Sequence, residues 1–185
     1  MDRKTLIIIV ILILAIIIAS LFLVNKKTEK EEQNVIQPQE EISDEQMRQT
    51  IVTLYYQNKE TKELMPEGRM IDAKLLLTDP YTTLISLLSE TPKSDKLQSV
   101  IPEGTKVLNI ELKEDIIYLD LSKEFIDNHN GGLQNEKATI YSIVNTLTEL
   151  NEINNIKFLI NGEENKAFND NEINFRDVFS RIDKI

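Results

Sequence analysis

Residues 5–24 form an unbroken apolar block, TLIIIVILILAIIIASLFLV. At about 1.5 Å rise per residue, a helix of this length spans roughly 30 Å, the thickness of the hydrocarbon core of a bilayer. A lone apolar segment can cross lipid only as a helix, because each peptide group there needs an internal hydrogen-bond partner. The sequence therefore predicts one transmembrane helix over residues 5–24.

Two alternatives compete with a retained anchor, namely a buried core helix and a cleavable signal peptide. No other stretch is apolar enough to surround a helix that is apolar on every face. The apolar region of a signal peptide runs to about 7–15 residues and ends at a small-x-small site. This block is longer, and Ala19 and Ser20 are followed by the bulky Leu21. Both observations favour a retained membrane anchor.

The orientation of the predicted helix is not decided by flanking charge alone. Basic residues lie on both sides, with Arg3 and Lys4 before the block and three lysines within residues 26–30. The tail of residues 1–4 is too short to be more than the cytoplasmic end of a signal-anchor. We therefore expect the N-terminus inside the cell and the remainder of the chain outside the cytoplasmic membrane.

Composition limits the partners of the soluble part. The chain has 21 basic and 31 acidic residues, and residues 1–24 hold Asp2, Arg3 and Lys4, so 19 basic and 30 acidic residues remain with a formal charge of −11. This balance repels nucleic-acid phosphates and anionic lipid. The chain has no cysteine, which excludes disulfides, thiolate zinc sites, thiol catalysis and a lipid-modified cysteine.

The soluble part divides into a spacer and one domain. Residues 25–49 are polar and highly charged, and cannot bury enough apolar area to offset their ordering entropy. Residues 50–185 suit a single core. We predict a polar linker over 25–49 and one folded domain over 50–185.

Hydrophobic periodicity predicts the elements of this domain. Residues 51–56 are β-branched and aromatic, as in a strand, whereas Pro66 and Gly68 make 64–71 irregular or an edge strand. Asp79-Pro80 is typical of a helix start, and Tyr81, Leu84, Ile85 and Leu88 follow at helical spacing.

The second half predicts a hairpin, a helix and a strand. Apolar residues alternate in two strands joined by a turn at 113–115, and a helical stripe follows Gly131-Gly132. The apolar positions are Leu108, Ile110, Leu112, Ile117, Leu119 and Leu121 in the hairpin, Ile140, Ile143, Val144, Leu147 and Leu150 in the helix, and Ile156, Phe158 and Ile160 in the last strand. Phe175, Val178, Phe179 and Ile182 suggest a short C-terminal helix. The order strand, helix, strand, strand, helix, strand predicts an α+β two-layer sandwich, with two helices covering one four-stranded sheet.

Two blocks of the domain resemble a known family. IPEGTKVLNIELKEDIIYLDLSKEF (101–125) and ATIYSIVNTLTELNEINNIKFLINGEE (138–164) are similar, in this order and spacing, to the GerMN domain of bacterial sporulation and germination proteins. The resemblance covers residues 51–182. In LISLLSETP, Glu90 and Thr91 stand where the family usually has a glycine.

The resemblance implies a fold and a setting. It implies an extracytoplasmic domain of Gram-positive spore formers, similar to ring-building modules of the envelope and sometimes joined to wall amidases. It supplies no catalytic residues, no cofactor and no metal site.

The chemically notable residues favour structural roles. His129 in DNHNGG, with Asp127 nearby, is more typical of a turn residue than of a base or metal ligand. Asp120 and Ser122 are interpreted as solvated or capping groups. Asn145-Thr146 are expected to stabilise the fold through a neighbouring loop. The run 169–172 lacks the central glycine and distant glutamate of a calcium loop.

We predict a non-enzymatic, membrane-anchored protein of sporulation or germination, acting through contacts with envelope or sporulation proteins or with its own copies. The first alternative is a module that binds peptidoglycan. Its candidate stacking rings are Tyr55, Tyr56, Tyr81 and Tyr118. The second alternative is a wall hydrolase, which needs an acidic pair about 5–10 Å apart in a cleft.

Overall fold

The computed structural model describes residues 48–169 and 173–185, and places Ile16, Ile18 and Ser20 in a helix. Within these described residues, no helix combines the length and the apolar character that a membrane crossing requires. The predicted transmembrane segment 5–24, apart from those three residues, and the predicted linker up to residue 47 lie outside the described part. Both stay predictions.

The N-terminal part of the domain is a three-stranded antiparallel sheet in the order β2-β1-β3. Its strands are β1 (Gln49–Asn58), β2 (Leu64–Asp72) and β3 (Leu97–Gln98). β1 and β2 pair along their whole length, with Ile51 opposite Met70. Val52, Leu54 and Tyr56 alternate into the core. The predicted first strand is confirmed, and the region 64–71 is a regular edge strand.

The second sheet has the order β4-β5-β6-β7. Its strands are β4 (Val107–Lys113), β5 (Ile116–Leu121), β6 (Asn155–Ile160) and β7 (Phe179–Ser180). β4 and β5 form the predicted hairpin, β6 pairs parallel to β5, and β7 pairs antiparallel to β6.

Four α-helices complete the described part of the domain, namely α1 (Ala73–Thr78), α2 (Pro80–Ser89), α3 (Glu124–Asp127) and α4 (Leu133–Leu147). α2 begins as predicted, since Pro80 is its first residue and the Asp79 carboxylate accepts a 3.2 Å hydrogen bond from the Thr82 amide. α4 follows two glycines with positive φ, Gly131 (73°) and Gly132 (85°).

The α+β class and the order of the six predicted elements are confirmed, but the single four-stranded sheet is wrong. β1 belongs to a separate sheet, because β2 pairs along one of its edges and, on the other edge, β3 pairs with Gln57 and Asn58 while α4 bonds to Tyr55. The Tyr55 amide donates to Thr146 Oγ1 at 3.0 Å, and Ser142 Oγ donates to the Tyr55 carbonyl at 2.5 Å. These two hydroxyls satisfy backbone groups that another strand would otherwise pair.

Two further expectations are corrected. A bulge between Val107 and Asn109 turns Leu108 outward, so that half of its surface is exposed instead of facing the core. The predicted C-terminal helix is wrong, because Phe179 and Ser180 pair with β6 as a short strand. The apolar spacing there reflects core packing, since Phe175 is fully buried and Phe179 packs against the core.

The core includes an aromatic cluster. Four fully buried phenylalanine rings pack together with neighbouring centroids 5.2–6.2 Å apart. They are Phe125, Phe158, Phe168 and Phe175. Residues from α3, β6 and the C-terminal segment therefore share one aromatic cluster.

Candidate functional sites

Helix α4 carries buried polar side chains that bond to several other segments of the chain. Asn145 Nδ2 donates to the Ile182 carbonyl at 2.8 Å, and Asn145 Oδ1 accepts from the Ile182 amide at 3.2 Å. Thr146 of the same helix bonds to Tyr55 of β1. These bonds confirm that Asn145 and Thr146 stabilise the fold by holding neighbouring chain segments. The polar side chains are thus part of the fold.

Asp120 and Ser122 also act on the backbone. Asp120 Oδ1 accepts a 2.9 Å hydrogen bond from the Gly162 amide, and Ser122 Oγ accepts a 3.0 Å bond from the Lys106 amide. Asp120 therefore caps the turn at Asn161-Gly162, as expected for a capping carboxylate.

His129 is held in one tautomer by its neighbours. Its Nδ1 accepts from the Gly131 amide at 2.9 Å, and its Nε2 lies 3.0 Å from Thr139 Oγ1. Thr139 Oγ1 donates its own proton to the Val100 carbonyl at 2.9 Å, so the Nε2–H donates to the hydroxyl. These bonds define a neutral imidazole, which lies 4.3 Å from the Phe168 ring centroid and supports the turn.

A pocket of about 590 Å³ lies beside this turn. Carboxamides and hydroxyls dominate its wall, and three apolar residues form one side. The lining residues are Gln57, Gln98, Ser99, Val100, Ile101, Pro102, Glu103, Asn128, His129, Asn130, Asn135 and Thr139. The sequence singled out only His129 among them, because, apart from its neighbours Asn128 and Asn130, the lining residues come from other segments of the chain.

A second pocket of about 280 Å³ bears on the hydrolase alternative, since Asp127 and Glu163 both line it. Asp127 pairs with Lys123 at 3.7 Å, and Glu163 pairs with Lys166 at 3.1 Å. More than half of each carboxylate side chain is exposed. Neither lies in the apolar surroundings that favour a protonated general acid.

The four tyrosines proposed to stack on sugars are distributed over both sheets and a helix. Tyr56 is fully buried and its hydroxyl donates to the Leu87 carbonyl at 2.6 Å, so it cannot stack on a ligand. Tyr55 precedes Tyr56 on β1 and faces the opposite side of the sheet. Tyr118 lies in the other sheet beneath Lys113 Nζ, 4.8 Å from its ring centroid. Tyr81 lies on α2. Tyr56 is therefore removed from the proposed set of stacking rings.

An ion-pair network that the sequence did not predict surrounds Arg69 on β2. Arg69 donates to Glu67 at 2.9 Å and to Glu90 at 2.8 Å, and its guanidinium lies 5.9 Å from the Tyr56 ring centroid. Glu90 is one of the residues that depart from the resembled family's usual pattern. In this chain it joins the end of α2 to β2.

The network shifts two ionisations in opposite directions. Burial raises the pKa of Tyr56 to about 12, despite the nearby Arg69. Burial also acts to raise the pKa of Glu67, but hydrogen bonds from Arg69 and from the amides of Lys93 and Ser94 hold it below its ordinary 4.5. Glu67 is thus stabilised as a carboxylate that links β2 to the loop after α2.

The outer side of the β1–β2 hairpin is apolar and exposed. Ile51 and Met70 lie directly opposite each other, with 67% and 56% of their surfaces exposed. Leu75 and Leu77 of the adjoining α1 are also exposed, at 47% and 87%. We call Ile51, Met70, Leu75 and Leu77 the hairpin patch. Within it, the cross-strand pair Ile51 and Met70 presents two exposed apolar side chains side by side, which is a feature of interaction surfaces.

No group of three or more metal-ligating side chains occurs among the described residues. Of the run 169–172, which lacks the features of a calcium loop, only Asn169 is described, and its side-chain amide donates to the Ile126 carbonyl at 3.3 Å.

Comparison with known proteins adds the family. The sequence matches the Germane family, described as sporulation and spore germination, over residues 53–166. No curated protein matches the chain.

Two solved structures share the fold. The tandem GerMN domains of the sporulation protein GerM from Bacillus subtilis align with a TM-score of 0.62 and 22% identity, covering 75% of this chain and 48% of that one. The first GerMN domain of the same protein aligns with a TM-score of 0.60 and 22% identity, covering 71% of this chain and 98% of that one. The chain therefore spans about half the length of the tandem-domain structure, and the resemblance to the GerMN domain is confirmed.

Proposed function

Because this chain belongs to the Germane family of sporulation and spore germination, we propose that it is a non-enzymatic envelope protein acting through protein–protein contacts. The family match over residues 53–166 is the observation that carries this proposal. In the proposed arrangement, residues 5–24 anchor the chain in the cytoplasmic membrane, 25–49 form a spacer, and the folded domain works outside the membrane.

The anchored topology is supported by the length of the apolar block. Protease added to intact protoplasts is expected to digest the domain, together with a known surface protein, while a cytoplasmic control stays intact. If the domain survives while the surface control is digested, the proposed topology is wrong.

The hairpin patch supports contact with another protein. Ile51 and Met70 form a cross-strand apolar pair on an open sheet face, where burial against a partner would remove apolar surface from water. The high acidic charge of the soluble part makes an anionic lipid surface a poor partner for this face. We assign the contact to an envelope protein that presents an apolar surface.

Site-specific photo-crosslinking tests this assignment in the spore-forming host. A photoreactive residue at Ile51 or Met70 is expected to give discrete adducts with envelope proteins during sporulation. The matched control position is Val178, which is similarly exposed but lies outside the hairpin patch. Equal adducts from all three positions, or none from Ile51 and Met70, would overturn the proposed contact surface.

A further inference from the structure

We propose that the 590 Å³ pocket beside the His129 turn binds a neutral carbohydrate that bears hydroxyl and acetamido groups. This inference is independent of the protein contact assigned to the hairpin patch. The volume of the pocket lies within the range of about 300–1,000 Å³ that is usual for small-ligand sites.

The chemistry of the lining selects a neutral polar ligand. Five of the lining residues carry carboxamides, and two carry hydroxyls. Each carboxamide offers both a donor and an acceptor, the combination that hydroxyl and acetamido groups require. Glu103 is the one Asp, Glu, Lys or Arg among the described lining residues, and His129 is held neutral by its hydrogen bonds. The described lining residues therefore offer no cationic side chain to a phosphate or carboxylate ligand.

The pocket wall is fixed before a ligand arrives. Gln98 Nε2 donates to Gln57 Oε1 at 2.8 Å, and Ser99 Oγ donates to the Leu88 carbonyl at 2.5 Å. Thr139 is held by its bond to the Val100 carbonyl. Side chains that are already ordered lose little conformational entropy on binding.

The rim keeps hydrogen-bonding capacity. Asn128 uses one N–H on the Glu103 carbonyl at 2.7 Å, and Asn135 uses one on the Gly131 carbonyl at 2.9 Å. Each carboxamide therefore has a second N–H and an acceptor oxygen to offer. Asn130 lies between them on the exposed turn.

The arrangement favours a compact carbohydrate over an extended peptide. Polar groups converge from β1, β3, the turn at 101–103, the loop at 128–130 and helix α4. A peptide added to a strand edge would instead need polar groups spaced along one line at about 3.4 Å per residue. Val100, Ile101 and Pro102 supply an apolar side against which the C–H face of a sugar ring can pack.

The test uses the full-length chain in detergent micelles and chitotetraose, the neutral tetramer of N-acetylglucosamine, as the probe. Saturation-transfer NMR and calorimetric titration are expected to show saturable binding. Replacing Asn130 and Asn135 together by leucine, which has nearly the same shape, is expected to weaken binding roughly tenfold or more.

The matched control is Asn109→Leu, an exposed asparagine on β4 that does not line the pocket. It is expected to leave the affinity unchanged. Absence of saturable binding, equal binding by the pocket variant, or equal affinity for an uncharged tetrapeptide would each overturn the assignment. Crosslinking at Ile51 should persist in the pocket variant, so failure of this inference is distinguishable from failure of the protein-contact function.

Discussion

The four-stranded sheet is joined to the C-terminal segment by a short strand and a buried lysine, whereas the three-stranded sheet is joined to helix α4 by two hydroxyls. β7 pairs with two residues of β6, and Lys157 Nζ donates to the carbonyls of Phe175, at 3.0 Å, and Arg176. On β1, the backbone of Tyr55 bonds to the hydroxyls of Ser142 and Thr146, beside the two residues that pair with β3. Each sheet thus depends on polar groups from distant parts of the chain.

The outer edge of β2, which has no strand partner in the described sheet, is protected by a proline. Because the backbone groups of Tyr55 bond to α4, the opposite residue Pro66 directs its backbone nitrogen away from β1. Proline has no N–H, so this position of the free edge cannot donate to another strand. The edge is locally protected while Ile51 and Met70 on the outer face stay exposed. This difference favours contact through the face of the hairpin.

The largest expected effect concerns the packing of the C-terminal segment against the four-stranded sheet. Phe175→Ala removes a fully buried ring from the aromatic cluster, and we expect the free energy of unfolding to fall by about 3–5 kcal/mol. Urea denaturation of the full chain, followed by circular dichroism, measures it. Val178→Ala, at an exposed neighbouring position, should change stability by less than about 0.5 kcal/mol. Equal losses of unfolding free energy in the two variants would contradict the importance of Phe175 for this packing.

The contact between α4 and β1 should depend on the hydroxyl group of Thr146. Thr146→Val keeps the shape of the side chain but leaves the part-buried Tyr55 amide without its acceptor, which should cost about 1–3 kcal/mol. Thr148→Val is the matched control, because Thr148 Oγ1 donates only to carbonyls of its own helix region. A similar small loss for both variants in thermal denaturation would show that the edge contact adds little.

The link between β2 and the loop after α2 should weaken with acid. The folded state holds the pKa of Glu67 below 4.5, so its stabilisation is complete above the unfolded pKa and is lost as pH falls through the folded value. Glu67→Gln should therefore lower stability at pH 7 more than at pH 3. Denaturation midpoints of both proteins across this range measure the difference. A gap that does not narrow below pH 4.5 would contradict the role of the charge.

The smallest effect is expected at the hairpin patch. Ile51→Thr keeps a β-branched residue on an exposed strand position and should change the free energy of unfolding by no more than about 0.5 kcal/mol. Its effect should instead appear as loss of crosslinked adducts from Met70. A large loss of stability would indicate that Ile51 belongs to the core and would remove the distinction between face and edge.

Local features of the fold were predictable where neighbouring residues determine the geometry. Asp79-Pro80 predicted the start of α2, and the alternation around 113–115 predicted the β4–β5 hairpin. Asn145 was identified as a structural group, although its partner Ile182 was not. For the pocket, only His129 was recognised, because the remaining lining residues come together from separate segments of the chain.

The sequence by itself determined the six main elements, their order, the family resemblance and the prediction of an apolar anchor, because each follows from local periodicity or a contiguous motif. Only the tertiary structure decided that the strands divide into two sheets, that the C-terminal segment closes one of them, and that a polar pocket forms beside His129. These features arise from hydrogen bonds and packing between residues that lie far apart in the chain, such as Tyr55 and Thr146. Local sequence patterns do not predict which distant residues come into contact.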